Sequence, residues 1–177
     1  MGKKANKYGG GAQTNANGLK FEQETSLDEA LENAGYYVMG NGVYNKGDER
    51  IGYSTPKRDL YTQFLNNEGV DYRDYNSKQW LPDECFINDA NRTAYIIEKK
   101  FQNTSGSVDE KLPGCDFKKR EYEKLFRPID YGVEYLYVFN DWFKKEQYRD
   151  TLDYIEEVGC RYFFNKIPLD FLGLSDA

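Results

Sequence analysis

The chain has 177 residues, 39% of them hydrophobic and 16% aromatic, with 24 basic and 30 acidic side chains and a net charge of −6. That is enough apolar material for one ordinary domain with a real core. There is no histidine, which excludes Ser-His-Asp and Cys-His catalysis, histidine-ligated zinc and the HExxH proteases. Any catalysis must rest on carboxylates, Lys, Tyr, Ser, Cys or a hard metal held by oxygen.

Residues 1–17 are rich in Gly, Asn and Lys and lack apolar periodicity, which predicts a flexible basic arm ahead of a single domain over 18–177. The start has lysines but no apolar stretch of the kind a secretory signal needs, so a cytoplasmic protein is expected. Leu19, Phe21, Leu27, Ala30, Leu31 and Ala34 fit one helix from about Gly18 to Asn33, stopped by Gly35. Tyr36 to Met39 reads as a short strand, and Val43-Tyr44 with Arg50 to Tyr53 as a hairpin around Asn45-Lys46-Gly47-Asp48. A second helix carries Leu60, Tyr61, Phe64 and Leu65.

Trp80 to Ile87 and Thr93 to Gln102 read as paired antiparallel strands around the turn-like Asn88 to Arg92. A long helix follows from about Val108, or from Pro113, to Phe126. Val133 to Phe139 is a run of strand formers, read as a central core strand rather than an aromatic base-stacking platform. Asp141 is expected to cap a helix reaching Val158, with a strand at Cys160 to Phe164 and a closing helical turn at Leu169 to Leu174. Strands 133–139 and 160–164 flank one helix, which predicts a crossover and parallel pairing. The order gives an α/β fold, a mixed β-sheet with helices on both faces. No run approaches 18 consecutive apolar residues, so no transmembrane helix is expected. Cys85, Cys115 and Cys160 are odd in number and widely spaced, as small buried hydrophobes would be.

The chemistry concentrates between Leu81-Pro82-Asp83 and Glu98-Lys99-Lys100. Side chains alternate along a strand, so Glu98, Lys100 and Gln102 share one face while Ile97, Lys99 and Phe101 take the other. The hairpin brings Asp83 opposite residues near 97, within reach of Glu98, and puts Glu84 on the opposite face. Two carboxylates brought together repel, and a divalent cation resolves the repulsion. Mg²⁺ is bound by one or two carboxylates plus phosphate oxygens and water. Lys100 would then orient the attacking water and neutralise charge on phosphorus.

Pro82-Asp83…Glu98-Lys99-Lys100 resembles the signature of the PD-(D/E)XK nucleases, and the resemblance spans about residues 18–164. It implies a restriction-endonuclease-like fold in which Asp83 and Glu98 bind Mg²⁺ and Lys100 assists the water. It also marks Glu22, on the first helix, and Gln102 as auxiliary positions. Within the superfamily the chain looks most like a small type II restriction endonuclease. That implies cleavage of double-stranded DNA to 5′-phosphate and 3′-hydroxyl ends by a homodimer. A junction-resolvase-like or repair nuclease, and a non-catalytic DNA-binding protein on the same fold, are the alternatives.

Net acidity opposes a polyanionic partner, but the charge is uneven: residues 1–20 are +4 and 98–127 are +2, against −7 for 21–97 and −5 for 128–177. Arg120, Lys124 and Arg127 share a helix face beside Lys118 and Lys119 and are candidate phosphate contacts. A solvated face, with Glu121 and Glu123 as helical partners, is the competing reading. Arg73 and Lys78, in the polar stretch 66–79, are candidates for base readout.

Overall fold

In the computed structural model, residues 11–175 are described, with side chains from Ala16 onward. Seven strands form one sheet in the order β1-β2-β3-β4-β5-β6-β7. These are β1 (Tyr37–Met39), β2 (Gly42–Tyr44), β3 (Arg50–Ser54), β4 (Glu84–Asn88), β5 (Thr93–Lys100), β6 (Gly132–Phe139) and β7 (Arg161–Phe164). The first five pair antiparallel as successive neighbours, whereas β5–β6 and β6–β7 are parallel. The sheet is mixed, as the crossover argument predicts. At Gly52 of β3 a Cβ would lie 2.1 Å from the Ile87 carbonyl oxygen, so glycine is what lets β3 close on β4.

Alternation sorts the core onto the two faces of the sheet. Cys85, Ile87, Ala94, Ile96, Tyr135, Tyr137 and Phe139 pack on one side with the π-helical turn Leu60–Leu65, α3 (Cys115–Phe126) and α4 (Arg149–Glu157). Phe86, Tyr95, Ile97, Leu136 and Val138 pack on the other with α1 (Gly11–Glu24), α2 (Leu27–Asn33) and the C-terminal Ile167 and Leu172. β6 is buried from Tyr135 to Phe139, so the aromatic run is a core strand and offers no stacking surface. All three cysteines are buried and free. No helix among the described residues is long and apolar enough to cross a membrane.

The helices differ from expectation in one consistent way: they are shorter and interrupted. The expected single helix 18–33 begins earlier, at Gly11, and breaks at Thr25-Ser26. Thr25 folds its hydroxyl back onto the Phe21 carbonyl at 2.6 Å, and Ser26 accepts from the Glu29 N–H as the cap of a new helix. The part of the expected flexible arm at 11–17 is therefore helical, and residues 1–10 lie outside the described residues. Residues Ser107–Gly114 form a 3₁₀ segment and α3 starts only at Cys115, because Pro113 removes an N–H from the turn. Asp141 caps nothing, and its carboxylate accepts from Asn165 Nδ2 at 2.6 Å. Two 3₁₀ turns precede α4, which begins at Arg149. Leu169 to Leu174 closes as hydrogen-bonded turns rather than a helix.

The register of β4 on β5 positions the site. Glu84 faces Ile97 and Cys85 faces Ile96, so Asp83, one residue before β4, lies beside Glu98. On the opposite face Lys99 Nζ meets Glu84 Oε1 at 3.1 Å, with side chains only 11% and 12% exposed. Glu84 also accepts from the Leu27 N–H, which ties α2 to the sheet. Burial raises the Glu84 carboxyl above its usual range, partly offset by Lys99. Removing one member of such a pair leaves an uncompensated charge. Lys99→Ala should therefore lower unfolding free energy by about 3 kcal/mol in denaturant titration. The double Lys99→Met, Glu84→Met variant should recover most of that loss, and a K99A protein as stable as the parent would refute the pairing.

Candidate active site

β5 delivers three consecutive charged residues to opposite sides of the sheet. Glu98 and Lys100 follow Ile96 onto the α3 side, and Lys99 follows Ile97 toward α1 and α2. Asp83 reaches Glu98 from the segment leading into β4. One of its carboxylate oxygens, Oδ2, accepts from the Lys99 backbone N–H at 2.9 Å, and the side chain hydrogen-bonds Glu98. Its other oxygen, Oδ1, accepts from Lys57 Nζ.

Lys57 has no counterpart in the sequence reading. The chain leaving β3 continues alongside the approach to β4: Thr55 N–H donates to the Cys85 carbonyl and Lys57 N–H to the Pro82 carbonyl, at 2.9 and 2.8 Å. That extension past Pro56 places Lys57 against Asp83. Nothing local in Thr55-Pro56-Lys57 marks it, because the contact spans 26 positions and depends on the β3–β4 pairing.

The electrostatics single out Glu98. Burial, followed by the Asp83 charge and its hydrogen bond, pushes the Glu98 carboxyl up to about 8, while Lys100 and Lys118 pull it back. Burial also acts to raise Asp83, but Lys57 and the Lys99 N–H outweigh it and hold Asp83 below its usual range. The two carboxylates thus share one negative charge more readily than they carry two. A hard divalent cation fits this donor set: two hydrogen-bonded carboxylates, one partly buried and resisting ionisation, gain a counter-charge when it binds. Among the described residues no third Asp, Glu or Cys joins them as a ready-made cluster.

Glu22 stands at the rim. It is exposed on α1, lines a cleft of about 470 Å³ with Lys99, Lys100 and Phe101, and its charge acts on Lys57. Gln102 lies beyond the end of β5. Its backbone clasps Asn140, with N–H to Oδ1 at 3.1 Å and its carbonyl accepting from Nδ2 at 2.6 Å, while its side chain packs on Gly106.

The cations divide into two groups. Lys118 comes to the carboxylates: burial lowers the Lys118 ammonium, and Glu98, Lys100, Lys78 and Asp83 all act on it. Lys78 and Lys118 both flank the Trp80 ring, Lys78 at 4.1 Å and Lys118 at 5.9 Å from its centroid. Lys124 and Arg127 pair along α3 with Glu121 and Glu123, Lys119 donates to the Gly159 carbonyl, and Arg73 is clamped by Asp71. Arg120 is exposed. Sequence periodicity grouped Lys118 with its helical neighbours, but only Lys118 among them is turned toward the sheet.

Asp83, one residue before β4, and Glu98 and Lys100 of β5 present acid, acid and lysine on one face of a mixed sheet in an α/β domain. A family model, the PD-(D/E)XK nuclease superfamily domain, matches residues 15–122, a span that holds Lys57, Asp83, Glu98, Lys100 and Lys118. The chain belongs to the PD-(D/E)XK nuclease superfamily. No curated protein and no solved structure matched it.

The raised Glu98 carboxyl has a measurable sign. The folded state holds this proton more tightly than the unfolded chain, so the contribution is complete below about pH 4.5 and is lost as pH rises through about 8. In the metal-free protein, the stability of wild type relative to Glu98→Gln should therefore fall between those limits, by at most about 1.4 kcal/mol per pH unit. Urea titrations across that range test it, and a difference independent of pH refutes it.

Proposed function

We propose that the protein is a Mg²⁺-dependent endodeoxyribonuclease of the type II restriction kind. It would cut both strands of DNA at a short specific site and leave 5′-phosphate and 3′-hydroxyl ends. The observation that carries this reading is the contact between Asp83 and partly buried Glu98, with Lys100 on the same strand face.

Asp83 and Glu98 would hold the cation, which supplies Lewis acidity to a phosphate oxygen and to a bound water. Lys100 has no ion pair within 4 Å among the described residues, so its ammonium is available to orient the water and to balance charge on the phosphoryl oxygens. Water attacks phosphorus in line with the departing 3′ oxygen. Glu22 and Gln102 are auxiliary candidates at the rim and at the strand end. Lys118, beside the carboxylates, and Lys78, over Trp80, are candidate contacts to phosphates flanking the scissile bond, with Lys119, Arg120, Lys124, Arg127 and Arg73 as outlying ones. A duplex offers two scissile bonds, so we infer a homodimer with one site per strand.

One observation favours a second reading, a structure-selective or repair nuclease. Phe117 is 55% exposed on α3 and stands edge-on to Trp80, 6.2 Å between centroids, beside Lys118. An exposed aromatic next to lysines is suited to an unpaired base.

Incubation of plasmid and branched DNA with Mg²⁺ tests both readings. Discrete duplex fragments support restriction, cleavage confined to branches or single strands supports the second reading, and no cleavage with Mg²⁺ or Mn²⁺ overturns both. Lys100→Ala should slow cleavage by roughly 10²–10³-fold, in line with loss of one group that stabilises developing charge. Asp83→Ala or EDTA should abolish it.

A further inference from the structure

We propose that Lys57 is a further residue of this site. In the metal-free chain it stands in for the cation at Asp83, and on metal entry it turns its ammonium to a DNA phosphate. The inference rests on the metal-site reading above.

Three independent features point to Lys57. Its ammonium contacts Asp83 Oδ1, the oxygen that does not accept from the Lys99 N–H and so the freer one for a metal. The charges of Asp83, Glu98 and Glu22 all act on the ammonium, so it sits in the field that would attract a divalent ion. Its backbone is left-handed, with φ of 52°, an uncommon conformation for a side-chain-bearing residue. That conformation is held by the Lys57 N–H to Pro82 carbonyl bond at 2.8 Å. Strained backbone of this kind persists where the surroundings fix it, often at functional sites.

An ordinary surface ion pair would show the contact alone. Here the contact is made to a carboxylate oxygen that a divalent ion would also use. Metal binding at that oxygen therefore competes with the ammonium. Its side chain is 56% exposed, so it has room to swing outward to the solvent face. Substrate phosphates approach from that face, and lysine is a flexible point charge suited to them. Lys57 is thus a competitor before metal binds and a substrate contact afterwards, whereas Lys100 lacks an ion pair among the described residues and needs no release.

Isothermal titration of Mn²⁺ into wild type, Lys57→Met and Asp83→Asn separates the outcomes, with thermal unfolding as a control for folding. We expect Lys57→Met to bind Mn²⁺ about fivefold tighter than wild type, the scale of a partly exposed ion pair. For a mixed-sequence duplex in Ca²⁺, its log Kd against log salt slope should drop by about one, and Lys57→Arg should restore it. Equal Mn²⁺ affinity in wild type and K57M, with binding lost in D83N, overturns the Lys57 role and leaves the metal site standing. Tighter Mn²⁺ binding with an unchanged salt slope overturns the phosphate contact. If Mn²⁺ binds wild type and D83N alike, or binds neither, the metal-site reading falls and Lys57 falls with it.

Discussion

The pairing of β4 with β5 is the constraint on which the site depends. With Glu84 opposite Ile97, Asp83 meets Glu98 on one face while Glu84 meets Lys99 on the other. A slip of one residue would send Glu98 and Lys100 among the α1 and α2 side chains and bring Lys99 to the carboxylate. The apolar alternation of Ile96 and Ile97, each fully buried on its own face, opposes that slip, and so does the Glu84–Lys99 pair. The same side-chain alternation therefore locks the fold and aims the chemistry.

Local charge matters more than the total. A net charge of −6 describes a poor partner for DNA, yet Lys57, Lys100 and Lys118 stand around the carboxylate pair. These three come from the loop after β3, β5 itself and α3. Acidic residues are spread over the rest of the surface, where salt screens them within about 10 Å. A partly buried site is screened less, so its own acids and lysines outweigh the distant surface charge there.

The buried side of the site is unusually aromatic. Tyr122, Tyr135 and Tyr137 are each about 1% exposed or less, and the Glu98 charge acts on all three. Burial raises each phenol well above its ordinary range, so they stay neutral rings around the carboxylate. Burial is the main reason Glu98 resists ionisation, with the Asp83 charge next. It strengthens the attraction for any cation that Asp83 and Glu98 share.

The sequence by itself determined the strands and which charged side chains share a face. Period-two alternation in Tyr95 to Lys100 identified Lys100 rather than Lys99 as the lysine beside Glu98, and the apolar run 133–139 announced the core strand. The absence of histidine left carboxylate-held metal as the natural chemistry. Helix bounds were less legible, because Thr25 and Pro113 interrupt helices through a hydrogen bond or a missing donor, and the extended backbone of Lys145 breaks the one expected over 141–158, none of which apolar periodicity shows. Only the tertiary structure decided which cations reach the site. Lys57 lies 26 positions before Asp83 and arrives by the β3–β4 pairing, and Lys118 is chosen over Lys119 and Lys124 by how α3 packs on the sheet. Alternation is a property of a strand and is written in neighbouring residues. Proximity across strands is a property of packing, and it exists only once the sheet has formed.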